Sequence, residues 1–145
     1  MIAFRLIETT DPLYREELSL RDAVLRAPQG RHRTLSDLDR DREGFHFIAV
    51  DGAAVIGCLG LYRLSDQALE VRHVAVDPAR RRQGVAAGLF RFAEGWARRN
   101  NYRRLELDGR LTAAKFYEVC GFAAEGEKYM KHHTEHLKFR KDISQ

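Results

Sequence analysis

The sequence predicts a mixed α/β or α+β domain, and three observations carry that expectation. Runs rich in apolar and β-branched residues alternate with segments whose apolar residues recur at helical spacing. Residues 74–89, VAVDPARRRQGVAAGL, pass from a short apolar strand through a basic, glycine-containing turn into a helix. Hydrophobic residues make up 44% and charged residues 32% of the chain, a balance that suits a packed core under a solvated surface rather than disorder or membrane insertion. At 145 residues, one domain spanning residues 1–145 is expected, large enough to bury about 70% of the surface of its unfolded chain.

The elements read as follows. Residues 2–8 alternate, with Ile2, Phe4 and Leu6 on one face, and form a first strand. Thr10-Asp11-Pro12 supplies a capping side chain and a proline for a helix start. Residues 14–25 then place Tyr14, Leu18, Leu20, Val24 and Leu25 at roughly helical spacing. Residues 27–39 are polar and broken by Pro28-Gln29-Gly30, so a loop holding a helical turn is expected. Residues 45–50 and 53–64 are β-rich runs on either side of Asp51-Gly52, a dipeptide typical of a two-residue hairpin turn. A turn at Ser65-Asp66 leads into a strand over 68–76. Residues 84–100 form a helix with Val85, Leu89, Phe92, Ala93 and Trp96 on one face, ending at Asn100-Asn101. A short buried strand at 105–107, a short helix at 112–119 closed by Gly121, and a hairpin of 122–128 with 135–141 complete the chain.

Composition narrows the class of function. Cys58 and Cys120, the two cysteines, sit among apolar neighbours as buried thiols do, and cannot build a disulfide framework. No apolar run approaches the ~18 residues of a membrane span, and the opening MIAFRLIETTDP lacks the apolar region and cleavage site of a signal peptide, so a cytoplasmic protein is expected. The net charge is +4, with arginine concentrated at Arg80 to Arg82, Arg98 to Arg104 and Arg110. Such a field attracts polyanions without choosing among them, because a phosphate-bearing cofactor satisfies it as nucleic acid does. For Arg91, Arg98 and Arg99 a solvated helix face is an equal reading.

The strand–turn–helix segment has the makings of an anion site. The first turn of a helix presents about four N–H groups without intrahelical partners, at the positive end of the macrodipole, and phosphate binds there directly. Pro78 stops the strand, Arg80, Arg81 and Arg82 add cationic attraction, and Gly84 lets the backbone approach a ligand with no Cβ in the way. Arg81-Arg82-Gln83-Gly84-Val85-Ala86 resembles the Q/R-x-x-G-x-G/A acyl-CoA motif of the GNAT superfamily of N-acetyltransferases. Downstream, Ala113-Ala114-Lys115-Phe116-Tyr117-Glu118-Val119-Cys120-Gly121-Phe122 is similar to that family's A-x-x-F-Y-x-x-x-G-F landmark. The likeness is closest over residues 71–122, extends from about residue 46 to the C-terminus, and is loose over the first forty residues, where substrate choice usually lies. It implies a GNAT-like acyl-CoA N-acyltransferase fold, with a central mixed sheet of six or seven strands flanked by helices. It further implies acetyl-CoA as cosubstrate, no metal, and direct attack by a primary amine of a small molecule or a protein.

What the resemblance implies for individual residues can be set beside their chemistry. Backbone amides from Arg82 to Ala87, with Arg81, Arg82, Gln83, Gly84, Val85 and Ala86 in the motif itself, would hold the pyrophosphate. The main chain of Val74-Ala75-Val76 would pair with the pantetheine as an added strand does. Glu70 stands fourteen residues before Gly84, where some histone-type members carry a catalytic glutamate, and burial would raise such a carboxylate toward the range of a useful base. His73, with an ordinary pKa near 6.5, is the competing base; strand alternation puts it on the opposite face from Glu70, and ordered water is a third route. Tyr117 would donate a proton to the departing thiolate, since a phenol of pKa about 10 is protonated at neutral pH. Arg110 stands where many relatives carry asparagine, which puts the usual cofactor-amide contact in doubt and leaves Arg110 free to reach a phosphate.

Other readings have less behind them. His132, His133 and His136 lie in an expected hairpin, without the helical pairing of a zinc motif. A dinucleotide site at Gly84 to Gly88 fails on spacing. A non-catalytic acyl-CoA-sensing or basic nucleic-acid-binding module would share the arginines, but aromatics interleaved with basic residues on one exposed face are not evident, so nucleic acid is an unexpected partner. The acceptor would meet residues 13–38 and the final hairpin, and the last strands offer a surface for a homodimer.

Overall fold

The computed structural model describes residues 1–144. In chain order the regular elements are β1 (Ile2–Ile7), α1 (Tyr14–Arg21), α2 (Leu35–Asp41), β2 (Phe45–Asp51), β3 (Ala54–Arg63), β4 (Ala68–Val76), α3 (Val85–Arg99), β5 (Arg104–Arg110), α4 (Ala114–Val119), β6 (Ala123–Lys131) and β7 (Thr134–Asp142). They build one seven-stranded sheet in the order β1-β2-β3-β4-β5-β7-β6. Neighbouring strands are antiparallel except β4 and β5, which run parallel. The mixed α/β sheet flanked by helices is as expected.

Each face has its own core. α3 and α4 cover one, where Phe47, Leu59, Leu69, Leu89, Phe90, Leu105 and Phe139 are buried together. The helical stripe read from the sequence is there, widened by Phe90 and Ala97, which are also buried. α1 and the residues flanking it cover the other face, setting Leu13, Tyr14, Leu20, Val24 and Leu25 against Ile7, Ile48, Val50, Cys58 and Ala75. Cys58 is fully buried, and burial pushes its thiol well up, as an inert core cysteine requires.

Four local features depart from the sequence reading. The helix expected over 14–25 is α-helical only to Arg21, then widens into a π-helical turn over Asp22–Arg26 and ends in a 3₁₀ turn at Ala27–Gln29. Pro28 lacks the N–H to continue it, and Gly30 closes it at φ +66°. Where a loop with a single turn was expected, α2 is a capped helix. The Thr34 hydroxyl accepts from the Asp37 N–H at 3.1 Å, and the Asp37 carboxylate accepts from the Thr34 N–H at 2.8 Å. Thr34→Ala removes half of this reciprocal cap and should lower stability by about 1 kcal/mol, read as a shift in urea midpoint with unchanged m-value. The β2–β3 turn is Gly52-Ala53 rather than Asp51-Gly52, because Asp51 is already paired with Ala54. β5 runs four residues beyond the three expected, since Leu105, Leu107 and Gly109 alternate inward with polar residues between them.

The feature that shapes the site is the parting of β4 from β5. They pair only through Ala68–Arg104, Leu69–Leu105 and Glu70–Glu106. Beyond Glu70, β4 stays with β3 as far as Val76 opposite Gly57, while β5 stays with β7 as far as Arg110 opposite His136. A bulge accompanies the split. Register with β3 passes from Arg72 opposite Gly60 to Ala75 opposite Cys58, so β4 carries one extra residue. His73 sits within it at φ +58°, its carbonyl accepting from the Cys58 thiol at 3.2 Å.

Candidate active site

The bulge corrects one expectation about side-chain direction. Val71 and Val74, three apart, both belong to the α3-side core, which alternation alone forbids. His73 packs edge-on against the Tyr62 ring at 5.7 Å, and the Arg72 guanidinium lies 5.7 Å from the same ring. Tyr62 is the cross-strand partner of Glu70. Glu70, Arg72 and His73 therefore share the α1 side of the sheet, contrary to the opposition of Glu70 and His73 expected from a regular strand.

At the end of β4 the chain turns through an elbow. The Asp77 carboxylate accepts from the Ala79 N–H at 3.0 Å, Pro78–Arg80 form a 3₁₀ turn, and Arg80 pairs with Asp51 at 2.6 Å, tying the elbow to the β2–β3 turn. Arg82 and Gly84 both stand at positive φ, +66° and +76°. A side chain at Gly84 would meet nothing within 4 Å, so the requirement for glycine comes from its backbone angle and from whatever occupies the open side. α3 then starts with no side-chain cap and no acidic residue in its first turn. Its leading N–H groups keep their positive end uncompensated, beside Arg81 and Arg82.

A groove of about 640 Å³ runs along this elbow and β4. Val74, Ala75, Val76, Arg81, Arg82, Gly84, Val85, Ala86 and Ala87 line it; Gln83, the remaining residue of the motif, does not. Phe116 and Ala113, at the start of α4, close the other wall. The groove shares Val74, Arg81 and Ala113 with a second cavity of about 390 Å³ set between the diverging strands, lined among others by Arg72, His73, Asp108, Arg110, Tyr117 and His136.

Tyr117 lines the inter-strand cavity, next in sequence to Phe116 of the elbow groove. Its ring packs against Phe139 at 5.2 Å and against Phe90 and Phe122. It lies over Gly109 so closely that a methyl there would come within 2.7 Å of the ring. Among the described residues its hydroxyl has no hydrogen-bond partner. Burial, helped by Cys120 and opposed by Arg110, raises its pKa above the usual phenol value. Glu70 lines neither cavity and pairs instead with Arg40 at 3.4 Å. Burial, with Arg21 and Arg72 nearby, holds His73 down to about 2, so its imidazole is neutral and has little affinity for a proton from an ammonium group. Arg110 lines the inter-strand cavity and not the elbow groove.

Two constellations were missed in the sequence. Asp108 accepts from the Tyr129 hydroxyl, from Lys131 at 3.0 Å and from Lys138 at 3.1 Å; these donors outweigh burial and hold its carboxyl well below the usual range. On the α1 side of the sheet, Arg21 makes a two-pronged contact with Asp41 at 2.8 and 3.2 Å and reaches Glu17 at 3.3 Å, all three fully buried. The i, i+4 spacing of Glu17 and Arg21 was visible; Asp41, twenty residues on, carried no signal. Of the histidines, His132 and His133 form the two-residue β6–β7 turn at positive φ, and His136 is buried on β7 against Thr134.

The arrangement, a helix-entry elbow with open N–H groups beside the free edge of a strand and a cavity lined by a phenol, defines a class of site suited to a phosphate-bearing, extended ligand. Within that class the chain belongs to the acetyltransferase (GNAT) family, whose model matches residues 8–122. It is similar to human N-acetyltransferase 8, at 29% identity over 97 residues, which are 61% of this chain and 43% of that protein. The chain thus spans under half the length of that curated relative. A solved structure from Lactobacillus plantarum shares its fold with a TM-score of 0.84 at 25% identity, covering 97% of this chain and 99% of the other. So does a GNAT family acetyltransferase from Elizabethkingia anophelis with acetyl-CoA bound, with a TM-score of 0.76 at 16% identity over 97% of both chains.

Proposed function

We propose that this chain is an N-acetyltransferase that moves the acetyl group of acetyl-CoA to a primary amine while both substrates are bound. The observation that carries the reading is the continuous path from the uncapped α3 elbow, along the free edge of β4, to the Tyr117 hydroxyl. The residues suit acetyl-CoA. The open side of Gly84 and the first-turn amides beside Arg81 and Arg82 suit its diphosphate, and beyond Glu70 the unpaired edge of β4 suits an extended amide-bearing arm.

The cosubstrate supplies an activated acetyl group as a thioester. The amine nitrogen gives up its proton, forms the new C–N bond as the C–S bond breaks, and the sulfur leaves as a thiol carrying a proton from Tyr117, which water restores. Tyr117 suits the donor role because burial keeps it protonated at neutral pH. Glu70 is engaged with Arg40 and His73 is too weak a base, so water in the inter-strand cavity is the proposed route for the amine proton.

Acetyl-CoA at about a hundred times its Kd should raise Tm by roughly 5–10 °C, and a panel of amines should include some that drive release of the CoA thiol. An unmoved Tm with acetyl-CoA, alongside a rise with DNA or RNA, would replace the enzyme by a nucleic-acid-binding module.

A further inference from the structure

We propose that the acceptor is an amine that also carries an anionic group, a carboxylate or a phosphate, seated against Arg72 and Arg110 in the cavity beside Tyr117. The inference rests on the acetyltransferase reading and names the substrate class of the same site.

The charges around the cavity are unbalanced. Its one carboxylate lining residue, Asp108, is held by Tyr129, Lys131 and Lys138, and Glu70 on the same side of β4 is held by Arg40. Neither is available to receive a cation. Arg72 and Arg110 both line the cavity, and among the described residues neither has a carboxylate within salt-bridge distance. The Arg72 guanidinium is steadied on the Tyr62 ring, which orders its plane while leaving its N–H donors free for a planar anion. Close by, Arg31 and His132 are both pushed toward their neutral forms, first by burial and then by neighbouring cations including Arg110, as groups in a positive field respond. A cavity of about 390 Å³ holds a small molecule of this kind. The Tyr62 ring against which the lining residues Arg72 and His73 pack is itself held, its hydroxyl donating to the buried Asp41 at 2.7 Å. A polycationic amine would meet uncompensated like charge there, and a neutral amine would leave two guanidinium groups unanswered.

The test uses acceptors matched but for charge: phenylalanine, phenylalanine amide and phenethylamine; O-phosphoethanolamine and ethanolamine; and spermidine. Thiol release from acetyl-CoA is followed, and in parallel each amine's effect on Tm with CoA present. The anionic member of a pair is expected to exceed its neutral partner in kcat/KM by at least about tenfold, a factor that one hydrogen bond to a charged group supplies. The carboxylate and phosphate arms show which anion is preferred. Arg72→Gln and Arg110→Gln should each raise KM for the anionic acceptor by about tenfold or more, with the acetyl-CoA thermal shift unchanged. Thiol release equal or greater with neutral or cationic amines overturns this proposal and leaves the acetyltransferase standing. Silence from every anionic amine in both assays, or arginine variants that weaken acetyl-CoA alone, also overturns it. A chain that neither gains stability from acetyl-CoA nor releases thiol with any amine brings down the acetyltransferase reading itself.

Discussion

Replacing Tyr117 by phenylalanine should lower kcat by about 10²–10⁴-fold while leaving acetyl-CoA affinity and Tm nearly unchanged. The hydroxyl has no hydrogen-bond partner among the described residues, so removing it strands no buried group, and the ring contacts with Phe139, Phe90 and Phe122 survive in phenylalanine. What is lost is the proposed proton donor, a neutral phenol lining the inter-strand cavity. The loss therefore falls on turnover and not on binding, which is the signature of an interaction made in the transition state. The pH profile follows from the same environment. The donor acts while protonated, and burial raises its pKa, so an alkaline limb from Tyr117 appears only above about pH 10 and is absent from the Phe variant. Gly109→Ala is a second probe, because its methyl group would come within 2.7 Å of the tyrosine ring and 2.9 Å of Phe139. It should depress kcat with Tyr117 still present, and Glu70→Gln should not, given the carboxylate's place beside Arg40. Equal turnover in wild type and Tyr117→Phe would remove the phenol from the proton-donor role.

How much of this was legible in the sequence depends on how locally each feature is encoded. β4 and α3 emerge within a residue of their expected ends because turn-forming residues flank β4, and because Gly84 and Asn100 bracket an amphipathic stripe. The elbow residues were legible together because they are contiguous, and one strand–turn–helix places nine of them along one groove. Helix α2 was legible in principle: Thr34 and Asp37 form a capping box, with aspartate doing what glutamate or glutamine more often does. The His73 bulge was not. A histidine at φ +58° carries no local signal, and the extra residue exists only relative to the partner strand. That one insertion moved His73 to the side of Glu70, Arg72 and Tyr62, and so altered which groups face the inter-strand cavity. The ties of Arg21 to Asp41 and of Asp108 to Tyr129, Lys131 and Lys138 were equally hidden, since buried polar pairs form between distant segments.

The largest effect on stability is expected from Asp41→Ala. Asp41 is 1% exposed and receives both prongs of Arg21 together with the hydroxyls of Tyr14 and Tyr62, so its removal leaves a fully buried guanidinium with only Glu17 at 3.3 Å. Breaking a buried pair from one side costs about 3–5 kcal/mol, a large share of the 5–15 kcal/mol that holds a typical domain folded. The variant should therefore lose much of its urea midpoint, and acceptor turnover should fall with it, because Tyr62 supports both Arg72 and His73. Asp41→Asn separates charge from shape. Burial alone would raise the Asp41 carboxyl, but hydrogen bonds from Arg21, the Arg21 charge and the two tyrosine hydroxyls outweigh it and hold the carboxyl at about 2. A folded-state pKa depressed from the usual ~3.9 contributes stability that is present above about pH 4 and is lost as pH falls toward 2, roughly 2 kcal/mol in all. His46 works in the opposite sense. Burial lowers its pKa, but Glu17 and the Asp41 carbonyl outweigh that and raise it, so its contribution is full below the ordinary histidine value and fades as pH rises through the folded one. Chemical denaturation from pH 2 to 8 should thus show an acid limb between about pH 4 and 2 that is shallower in Asp41→Asn. If Asp41→Ala shifts stability by less than about 1 kcal/mol, the buried cluster is not what holds α1 and α2 against the sheet, and the Tyr62 ring is held in place by apolar packing instead.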